Sequence, residues 1–572
     1  MFDKEKRKTA KVSDKVIGEG KVVRNGEILL EIKNSDLEWE VLQEPLIIEE
    51  IIPNECIPKN SVRIVVDRTD SYQIQATLTA IEERGLLTTE TNTKCYTRLY
   101  ETSPGEHIEP FDIEGRDQYG SKIELKECYV THISSQENNS ENSKKVVTFN
   151  IIVHEINIDK NSGYDASCLS EWYLNGPDKE VIFPKKTLRL HKDSDKIERK
   201  RVPIDITHNK AIELIIQNIG SSEMSNDFAL VTLDDIKFII ARVPTHFDPK
   251  WSRNICIEYR KEFGLIPDRE KREAISEIVS FVLGTQLLNV GFTEYNNEGQ
   301  TLAYFAKPSW GGAYSRSACE NIPLSPFNLG IKSTKINEGK IEELLCDLVP
   351  KYLNKRDKLG LKEALWRYWI SRDTPLGTNL PVLSSSLELI MNKWFKSENS
   401  KSNGFWIPNE DFEDMIKESL SVAEKKIDEY IENKIKSLGP ENSDSLKAQE
   451  IGELKKPIVN SICHSNGMSI SKQYLAFFKE IGLESGTVED KAIKARHAMA
   501  HGNKMDVKEF EKMQVYTRAY QTLFHRVFLK VLGYEGRHID RSVIGFPEKN
   551  VNLPLGKINK LNVETPALIS KK

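Results

Sequence analysis

The hydrophobic pattern of the chain changes part-way along it, and this change restricts the fold to one that keeps strands and helices in separate regions. In the first half, short segments rich in β-branched residues, such as 61–67 and 146–153, alternate with polar or glycine-containing turns, a pattern typical of β-strands. From about Gly339 onward, apolar residues recur every three or four positions, as in amphipathic helices. The sequence therefore predicts an α+β multidomain protein. A β-rich N-terminal domain, which is a sandwich or a large twisted sheet, precedes an all-α helical bundle.

This pattern predicts three regions. Residues 1–245 form the β-rich domain, and residues 334–572 form the helical domain with an irregular C-terminal tail from about residue 534. Between them, residues 246–333 combine one amphipathic helix with two strand-like segments, so they form an α/β bridge or belong to the β-rich domain. The bridge ends in a stretch rich in Gly, Ser and Pro, 308–333, which is typical of a domain boundary.

The composition limits what the protein can bind and where it can work. A formal net charge of −5 gives no global attraction for nucleic acid, so any such contact must come from a local patch or groove. The eight cysteines contain no C-x-x-C pair, and we expect neither zinc nor a disulfide framework. Residues 1–15 are highly charged and no window holds roughly twenty apolar residues, so we expect a cytoplasmic protein with no signal peptide and no membrane segment.

One short run, Arg496-His497-Ala498-Met499-Ala500-His501-Gly502, combines groups suited to phosphate chemistry. Thr487 is a candidate N-cap with Asp490 three residues later, so we expect a helix that starts at Val488 and stops near Gly502. A histidine at a helix C-terminus is stabilised in its protonated form by the helix dipole. The charge of His501 could therefore change near neutral pH.

These groups suit the scission of RNA. A base removes the proton of a ribose 2′-OH, which attacks the adjacent phosphorus, while an acid protonates the departing 5′-oxygen. The permanent charge of Arg496 suits the extra negative charge on the pentacoordinate phosphorus. One His501 cannot be both acid and base in a turnover, so His497 or a second subunit must supply the other group.

Helix geometry and spacing limit how far this motif can be interpreted alone. Five helical steps turn about 500°, so Arg496 and His501 lie about 140° apart on a regular helix. They converge only if the last turn unwinds or if a neighbouring subunit completes the site. A similar separation also occurs in the pairs Arg201–His208 and Arg518–His525.

The run from Arg496 to His501 resembles the motif of HEPN-domain ribonucleases, in which an Arg and a polar residue are followed by three spacers and a His. Nearly the whole chain is similar in texture to ApeA-type anti-phage defence proteins, which join a β-rich N-terminal domain to a C-terminal HEPN bundle. Three further stretches carry this similarity: 285–294, 385–389 and 532–547. The resemblance implies an HEPN-type bundle with Arg496 and His501 as catalytic residues. His497 then occupies the position of the polar residue, where the family often has Asn.

The same resemblance implies a metal-independent endoribonuclease that needs no cofactor and leaves a 2′,3′-cyclic phosphate. The partners implied are an RNA substrate, with tRNA as one candidate, and further copies of the chain in a homodimer or a higher even oligomer. It also implies a role in abortive infection, with a phage-derived trigger sensed at the N-terminal domain.

Several alternatives stay open on the sequence alone. Glu388, among apolar neighbours on a predicted helix, is either a residue that helps to order Arg496 or a surface or helix-pairing glutamate. Trp366 and Trp369 have the spacing of a bundle core, and the basic stretch 185–201 is either a solvated hairpin or a nucleic-acid contact. The chain as a whole could instead be a non-catalytic RNA- or protein-binding module. It could also be a β-domain that recognises a carbohydrate or protein ligand, with the helices as a dimerisation platform.

Overall fold

The β-branched segments of the first half form strands, and the amphipathic segments of the second half form helices, in the computed structural model of the chain. The chain divides into two units, Met1–Leu353 and Asn354–Lys572. The structure describes residues 15–16, 21–24, 27–31, 44–69, 71–82, 109–137, 145–160, 165–177, 182–192, 196–202, 223–243, 253–309, 318, 320–330, 340–401, 404–437, 450, 453–500 and 510–556. None of the helices in these ranges is long and apolar enough to cross a membrane.

In the described part of the N-terminal unit, nineteen strands are joined by antiparallel pairing into one connected sheet region. The strands are β1 (Lys15–Val16), β2 (Lys21–Arg24), β3 (Glu27–Glu31), β4 (Leu46–Ile48), β5 (Glu50–Ile52), β6 (Ser61–Arg68), β7 (Ile74–Glu82), β8 (Phe111–Arg116), β9 (Lys122–Glu137), β10 (Lys145–Val153), β11 (Glu155–Asp159), β12 (Cys168–Leu174), β13 (Lys185–Lys192), β14 (Lys196–Val202), β15 (Glu223–Thr232), β16 (Lys237–Arg242), β17 (Ile255–Arg260), β18 (Leu288–Tyr295) and β19 (Thr301–Ala306).

Two ladders of strands meet at β9. The first half of this 16-residue strand pairs with β8 and β11, and its second half pairs with β10. One ladder runs β4–β6–β7–β10–β9, and the other runs β5–β8–β9–β11–β19–β18–β12–β17–β16–β15–β13–β14–β3–β2–β1. Inward-facing residues of both ladders, such as Phe149 and Ile156, share one buried core. The β-rich first half that the sequence predicts is confirmed, and it forms a large antiparallel sheet region.

The segment expected to be an α/β bridge is built into this sheet region. Helix α1 (Arg269–Leu283) begins after Asp268, whose side chain accepts the Lys271 N–H at 2.8 Å, and ends at Gly284 in the left-handed conformation. Strands β18 and β19 form the predicted hairpin. Because β18 also pairs with β12 and β19 pairs with β11, this segment is part of the β-rich unit.

Most of the next helix also lies in the N-terminal unit, although the sequence pattern assigns residues 334 onward to the helical domain. In α2 (Lys340–Lys355), the Glu342 carboxylate accepts the Leu230 backbone N–H at 2.6 Å, and the Tyr352 hydroxyl donates to Glu277 at 2.6 Å. The chain divides after Leu353 and not at residue 333. An amphipathic pattern shows that a helix has a buried face, but it does not show which core covers that face.

The described part of the C-terminal unit contains seven α-helices, as expected for a bundle. They are α3 (Leu361–Asp373), α4 (Asn379–Phe395), α5 (Asn409–Ser437), α6 (Lys455–Cys463), α7 (Ile470–Glu480), α8 (Thr487–Ala500) and α9 (Phe510–Leu532). The sequence predicts helices at 361–372, 380–395, 409–438, 443–463, 471–481, 488–500 and 507–532. Parts of the fourth and the last of these, together with a strand predicted at 211–217, lie outside the described residues.

The tail after α9 differs from the irregular segment that the sequence predicts. Strands β20 (Arg537–Ile539) and β21 (Glu548–Asn550) pair in antiparallel fashion. His538, Asp540 and Val551 in and around this hairpin are buried. Strands of three residues are too short to show a period, and polar groups supply much of the burial, so the hydrophobic pattern does not reveal this structure.

Candidate active site

Helix α8, which carries Arg496, begins one residue earlier than predicted, and a different carboxylate caps it. The Gly486 N–H donates to Glu489 Oε2 at 3.1 Å, and the Asp490 N–H donates to the Gly486 carbonyl at 3.1 Å. Gly486 is therefore the N-cap, not Thr487. Glu489, not Asp490, supplies the carboxylate that reaches back to the N-cap backbone in a capping box.

Glu489 also forms an ion pair with Arg526 of α9, and both side chains are completely buried. The Leu555 N–H donates to Glu489 Oε1 at 2.8 Å. The Arg526 guanidinium donates to the carbonyls of Val551 at 3.0 Å and Glu484 at 2.7 Å. Buried charges are tolerated when they are paired and hydrogen-bonded in this way. The pair therefore joins the start of α8 to α9 and to the tail.

Two turns further along α8, Arg496 contacts α4. Its Nε donates to Ser384 Oγ at 2.9 Å, and its Nη2 forms a charge-assisted hydrogen bond with Glu388 Oε1. Ser384 and Glu388 are four residues apart, so they lie on the same face of α4. The side chains of Arg496 and Glu388 are 16% and 23% exposed, so the ion pair lies at the edge of the bundle core, where water still reaches it.

Two buried tyrosines lie beside this ion pair. The hydroxyls of Tyr474 in α7 and Tyr520 in α9 are 3.0 Å apart, within hydrogen-bonding distance, and both side chains are buried. Burial raises the pKa of both hydroxyls. The negative charge of Glu388 raises these pKa values further, whereas the positive charge of Arg496 lowers them. Both tyrosines are therefore neutral at physiological pH, and α4, α7, α8 and α9 all contribute to the surroundings of Arg496.

The structure places part of the predicted motif. Arg496 and Glu388, which the sequence analysis singled out, are brought together across 108 residues of sequence. His497 lies in the last described turns of α8, but its side chain lies outside what the structure describes. His501 also lies outside the described residues, so the distance from Arg496 to His501 stays a prediction.

Three neighbours of Arg496 were not predicted from the sequence: Ser384, Tyr474 and Tyr520. A local signal existed for Ser384, because it precedes Glu388 by one helical turn and so shares its face. No comparable signal existed for the tyrosines. They come from α7 and α9, which are 46 residues apart at the contact, and their periodicity marks them only as core positions.

His525, the histidine of the second Arg–His pair on α9, is a core residue. Its Nε2 lies 2.8 Å from the Tyr368 hydroxyl, and the ring is fully buried, whereas Arg518 is exposed. Burial, followed by the positive charge of Arg541, holds the pKa of His525 well below its usual value. Arg518 thus lies at the surface and His525 in the core, although their sequence separation is similar to that of Arg496 and His501.

Comparisons of the chain with protein-family models, with curated proteins and with solved structures found no match. Among the residues that the structure describes, no three His, Cys, Asp or Glu side chains lie together in a way that could hold a metal ion. The candidate site is therefore defined by the geometry around Arg496 and by the sequence motif that follows it.

Replacing Glu489 with Gln should strongly destabilise the helical unit. The change keeps the size of the side chain but leaves the Arg526 charge buried and unpaired, which costs about 3–5 kcal/mol. Hydrogen exchange of α8 and α9 peptides, followed by mass spectrometry on the full chain, measures this loss. As a control, Glu432→Gln breaks an exposed pair with Lys436 and should change protection by no more than about 0.5 kcal/mol. Equal protection in the two variants would contradict the assigned role of Glu489.

The helical unit should lose stability as the pH falls from about 6.5 to about 4. Burial and the positive charge of Arg526 lower the pKa of His538 to about 4, although Asp540 opposes the shift. The unfolded chain, with a histidine pKa of about 6.5, binds the proton first. The stability is therefore present above pH 6.5 and is lost through pH 4, by up to about 3 kcal/mol. The pKa of His525 is lowered by burial as well, so that residue contributes in the same direction.

Exchange protection of α9 between pH 7 and pH 4.5, corrected for the intrinsic exchange rate, tests this expectation. His538→Gln should reduce the pH-dependent loss, whereas His132→Gln, at an exposed histidine of the N-terminal unit, should leave it unchanged. A pH dependence identical in the wild type and in His538→Gln would show that His538 does not contribute.

Proposed function

We propose that the C-terminal helical unit is an HEPN-type, metal-independent endoribonuclease, and that the chain is a cytoplasmic effector of anti-phage defence by abortive infection. The observation that supports this most directly is the contact of Arg496 with Glu388 and Ser384. Arg496 lies five residues before His501, in the run that resembles the HEPN motif. A guanidinium that is oriented before the substrate binds is suited to stabilise charge in a transition state.

In the proposed reaction, a base removes the proton of a ribose 2′-OH and the 2′-oxygen forms a bond to the adjacent phosphorus. The bond from phosphorus to the 5′-oxygen breaks, and an acid protonates that oxygen. The products are a 2′,3′-cyclic phosphate and a 5′-hydroxyl end. Arg496 stabilises the added charge on the phosphoryl oxygens, and His501 acts as the acid or the base.

The second acid–base group is proposed to come from another subunit. Each chain supplies one His501, so a homodimer or a higher even oligomer would bring two of them to one cleavage site. His497 is the alternative source within one chain. The substrate is RNA, with tRNA as a candidate, and the β-rich unit is proposed to sense a phage-derived trigger that releases the nuclease.

Cleavage of labelled RNA in the presence of EDTA tests the nuclease. The wild type should cut, and Arg496→Ala and His501→Ala should each lower the rate by about a hundred-fold or more, since they remove charge stabilisation and acid–base catalysis. Arg518→Ala, at an exposed arginine of α9, should cut at the wild-type rate. An RNA with deoxyribose at the cleavage site should resist, because it lacks the attacking hydroxyl.

Three results would count against the proposal. Equal cleavage by the wild type and both alanine variants would remove the assigned residues from the chemistry. Loss of wild-type cleavage with EDTA would contradict a metal-independent mechanism. Retained RNA binding with no product would favour a non-catalytic RNA-binding module.

Glu388 is proposed as a positioning residue that acts through Arg496. Glu388→Gln keeps the length of the side chain but removes the charge that holds the guanidinium. We expect kcat to fall by about ten-fold or more with little change in KM, because a misplaced catalytic group costs transition-state stabilisation more than binding. Thermal stability should stay near that of the wild type, since the pair is partly exposed.

Glu363→Gln, at an exposed glutamate of α3, is the matched control and should have wild-type kinetics. If Glu388→Gln also cleaves at the wild-type rate, Arg496 does not depend on the carboxylate. A rise in KM with unchanged kcat would instead assign Glu388 to substrate binding.

A further inference from the structure

A second arginine, Arg367 of α3, contacts α4 in the same turn that Arg496 contacts. Arg367 Nη1 donates to the Ser385 carbonyl at 3.0 Å, and Arg496 Nε donates to the Ser384 hydroxyl at 2.9 Å. Ser384 and Ser385 are neighbours in sequence, so the two guanidinium groups lie against one turn of α4. The three helices involved, α3, α4 and α8, all belong to the C-terminal unit.

α8 and α3 approach α4 from different sides. Arg496 of α8 contacts Ser384 and Glu388, whereas the start of α3 lies beside Leu389 and Lys393. At about 100° per residue, these two pairs of α4 residues point about 140° apart around the helix. The two arginines therefore reach α4 on opposite sides of the face that lies between the pairs.

This face of α4 is open to solvent. Ser385 and Asn392 point between the two pairs; Ser385 is partly exposed and Asn392 is exposed. Arg367 itself is also partly exposed. A phosphodiester chain that reaches Arg496 can thus continue over α4 to Arg367.

The charge of Arg367 is available to an external anion. In the part of the chain that the structure describes, Arg367 forms no ion pair, and the group that accepts its hydrogen bond is a neutral carbonyl. The Glu363 carboxylate lies back at the start of α3, and Glu388 is paired with Arg496. Residues 361–396 hold five Lys and Arg against three Asp and Glu, a net charge of +2 in a chain of net charge −5. The local charge therefore favours a phosphate, although the overall charge does not.

Trp366, the residue before Arg367, adds an exposed aromatic ring. Its spacing predicts a core position, yet 47% of its surface is accessible. It points about 100° away from Arg367 around α3. Packed helices lie about 8–10 Å apart, so the path from Arg496 over α4 and α3 to Trp366 covers roughly 20 Å. An aromatic ring next to a cationic track is the arrangement that binds unpaired nucleotides, because every base has a flat face that can stack.

We propose that Arg367 and Trp366 form a binding site for single-stranded RNA, in which Arg367 binds a phosphate that flanks the cleaved one and Trp366 stacks on an unpaired base. The inference rests on the proposed function in one respect, since it takes Arg496 to mark the cleaved phosphate. Phosphate contacts and stacking do not read base edges. The specificity expected of this site is therefore for unpaired RNA rather than for a base sequence.

Fluorescence anisotropy of a short labelled single-stranded RNA tests the site, with every protein in a His501→Ala background so that the RNA stays intact. R367Q should raise Kd about five-fold or more, and it should reduce the slope of log K against log salt by about 0.7, the value for one phosphate contact on a single strand. W366A should raise Kd about ten-fold without changing the salt slope. It should leave the affinity for duplex RNA unchanged, because the bases of a duplex are already stacked.

Conservative variants separate binding from structure. R367K keeps the charge and should keep the salt slope, and W366F keeps a stacking ring and should retain most of the affinity. R518Q, at an exposed arginine of α9, should bind as the parent does. A merely structural role predicts instead that affinity follows the melting temperature across the variants. The proposal is overturned by that result, by parental binding of R367Q and W366A, or by an equal loss in R518Q or with duplex RNA.

Cleavage kinetics in the wild-type background distinguish this site from the proposed nuclease. R367Q and W366A should raise KM with kcat near the wild-type value, because they remove binding that is equal in the ground state and the transition state. If the wild type does not cleave RNA but both variants lose RNA affinity, the nuclease assignment fails and the binding site stands. If the wild type cleaves RNA and both variants keep its KM, the binding site fails and the nuclease assignment stands.

Discussion

The candidate site depends on the buried ion pair of Glu489 and Arg526. Removing two charges from water costs several kcal/mol for each ion, and the cost is offset only when the remaining hydrogen-bonding positions are also filled. Glu489 accepts two backbone N–H groups besides Arg526, and Arg526 donates to carbonyls that include that of Val551 in the tail. The pair is therefore stable only when α8, α9 and the tail are all in place. A segment that lacks a hydrophobic pattern thus contributes to the core of the helical unit through its backbone.

The same pair helps to determine the position of Arg496. Glu489 and Arg496 are seven residues apart on α8, which is nearly two turns and about 10 Å along the axis. Since a helix is stiff over this distance, fixing its first turn restricts the position of Arg496 against α4. Ser384 and Glu388 then orient the guanidinium. The result is a cation that the protein orients but that solvent, and therefore a phosphate, can still reach.

Local patterns predicted the elements well but not their partners. The period of 3.6 residues located α4, α8 and α9 to within a few residues, and the spacing of Glu388 among apolar neighbours made it a candidate partner of Arg496. The same period did not predict which core the buried face of each helix packs against. It assigned α2 to the helical unit, and it placed Trp366 in the core, where the side chain is 47% exposed, together with Trp369, which is buried. Contacts such as those of Arg526 with Val551 and of Tyr474 with Tyr520 could not be predicted, because the sequence around one residue does not indicate its partner in a distant segment.

The placement of charge separates groups that stabilise the fold from groups that remain available to a ligand. Arg526 has a buried carboxylate partner and backbone carbonyls, so its charge is fully used inside the protein. Arg496 has a carboxylate partner but stays partly exposed. A chain with a negative net charge cannot attract nucleic acid through its overall field. The attraction must instead arise at a local position, and Arg496 is such a position, because the protein orients its charge while leaving the side chain partly exposed.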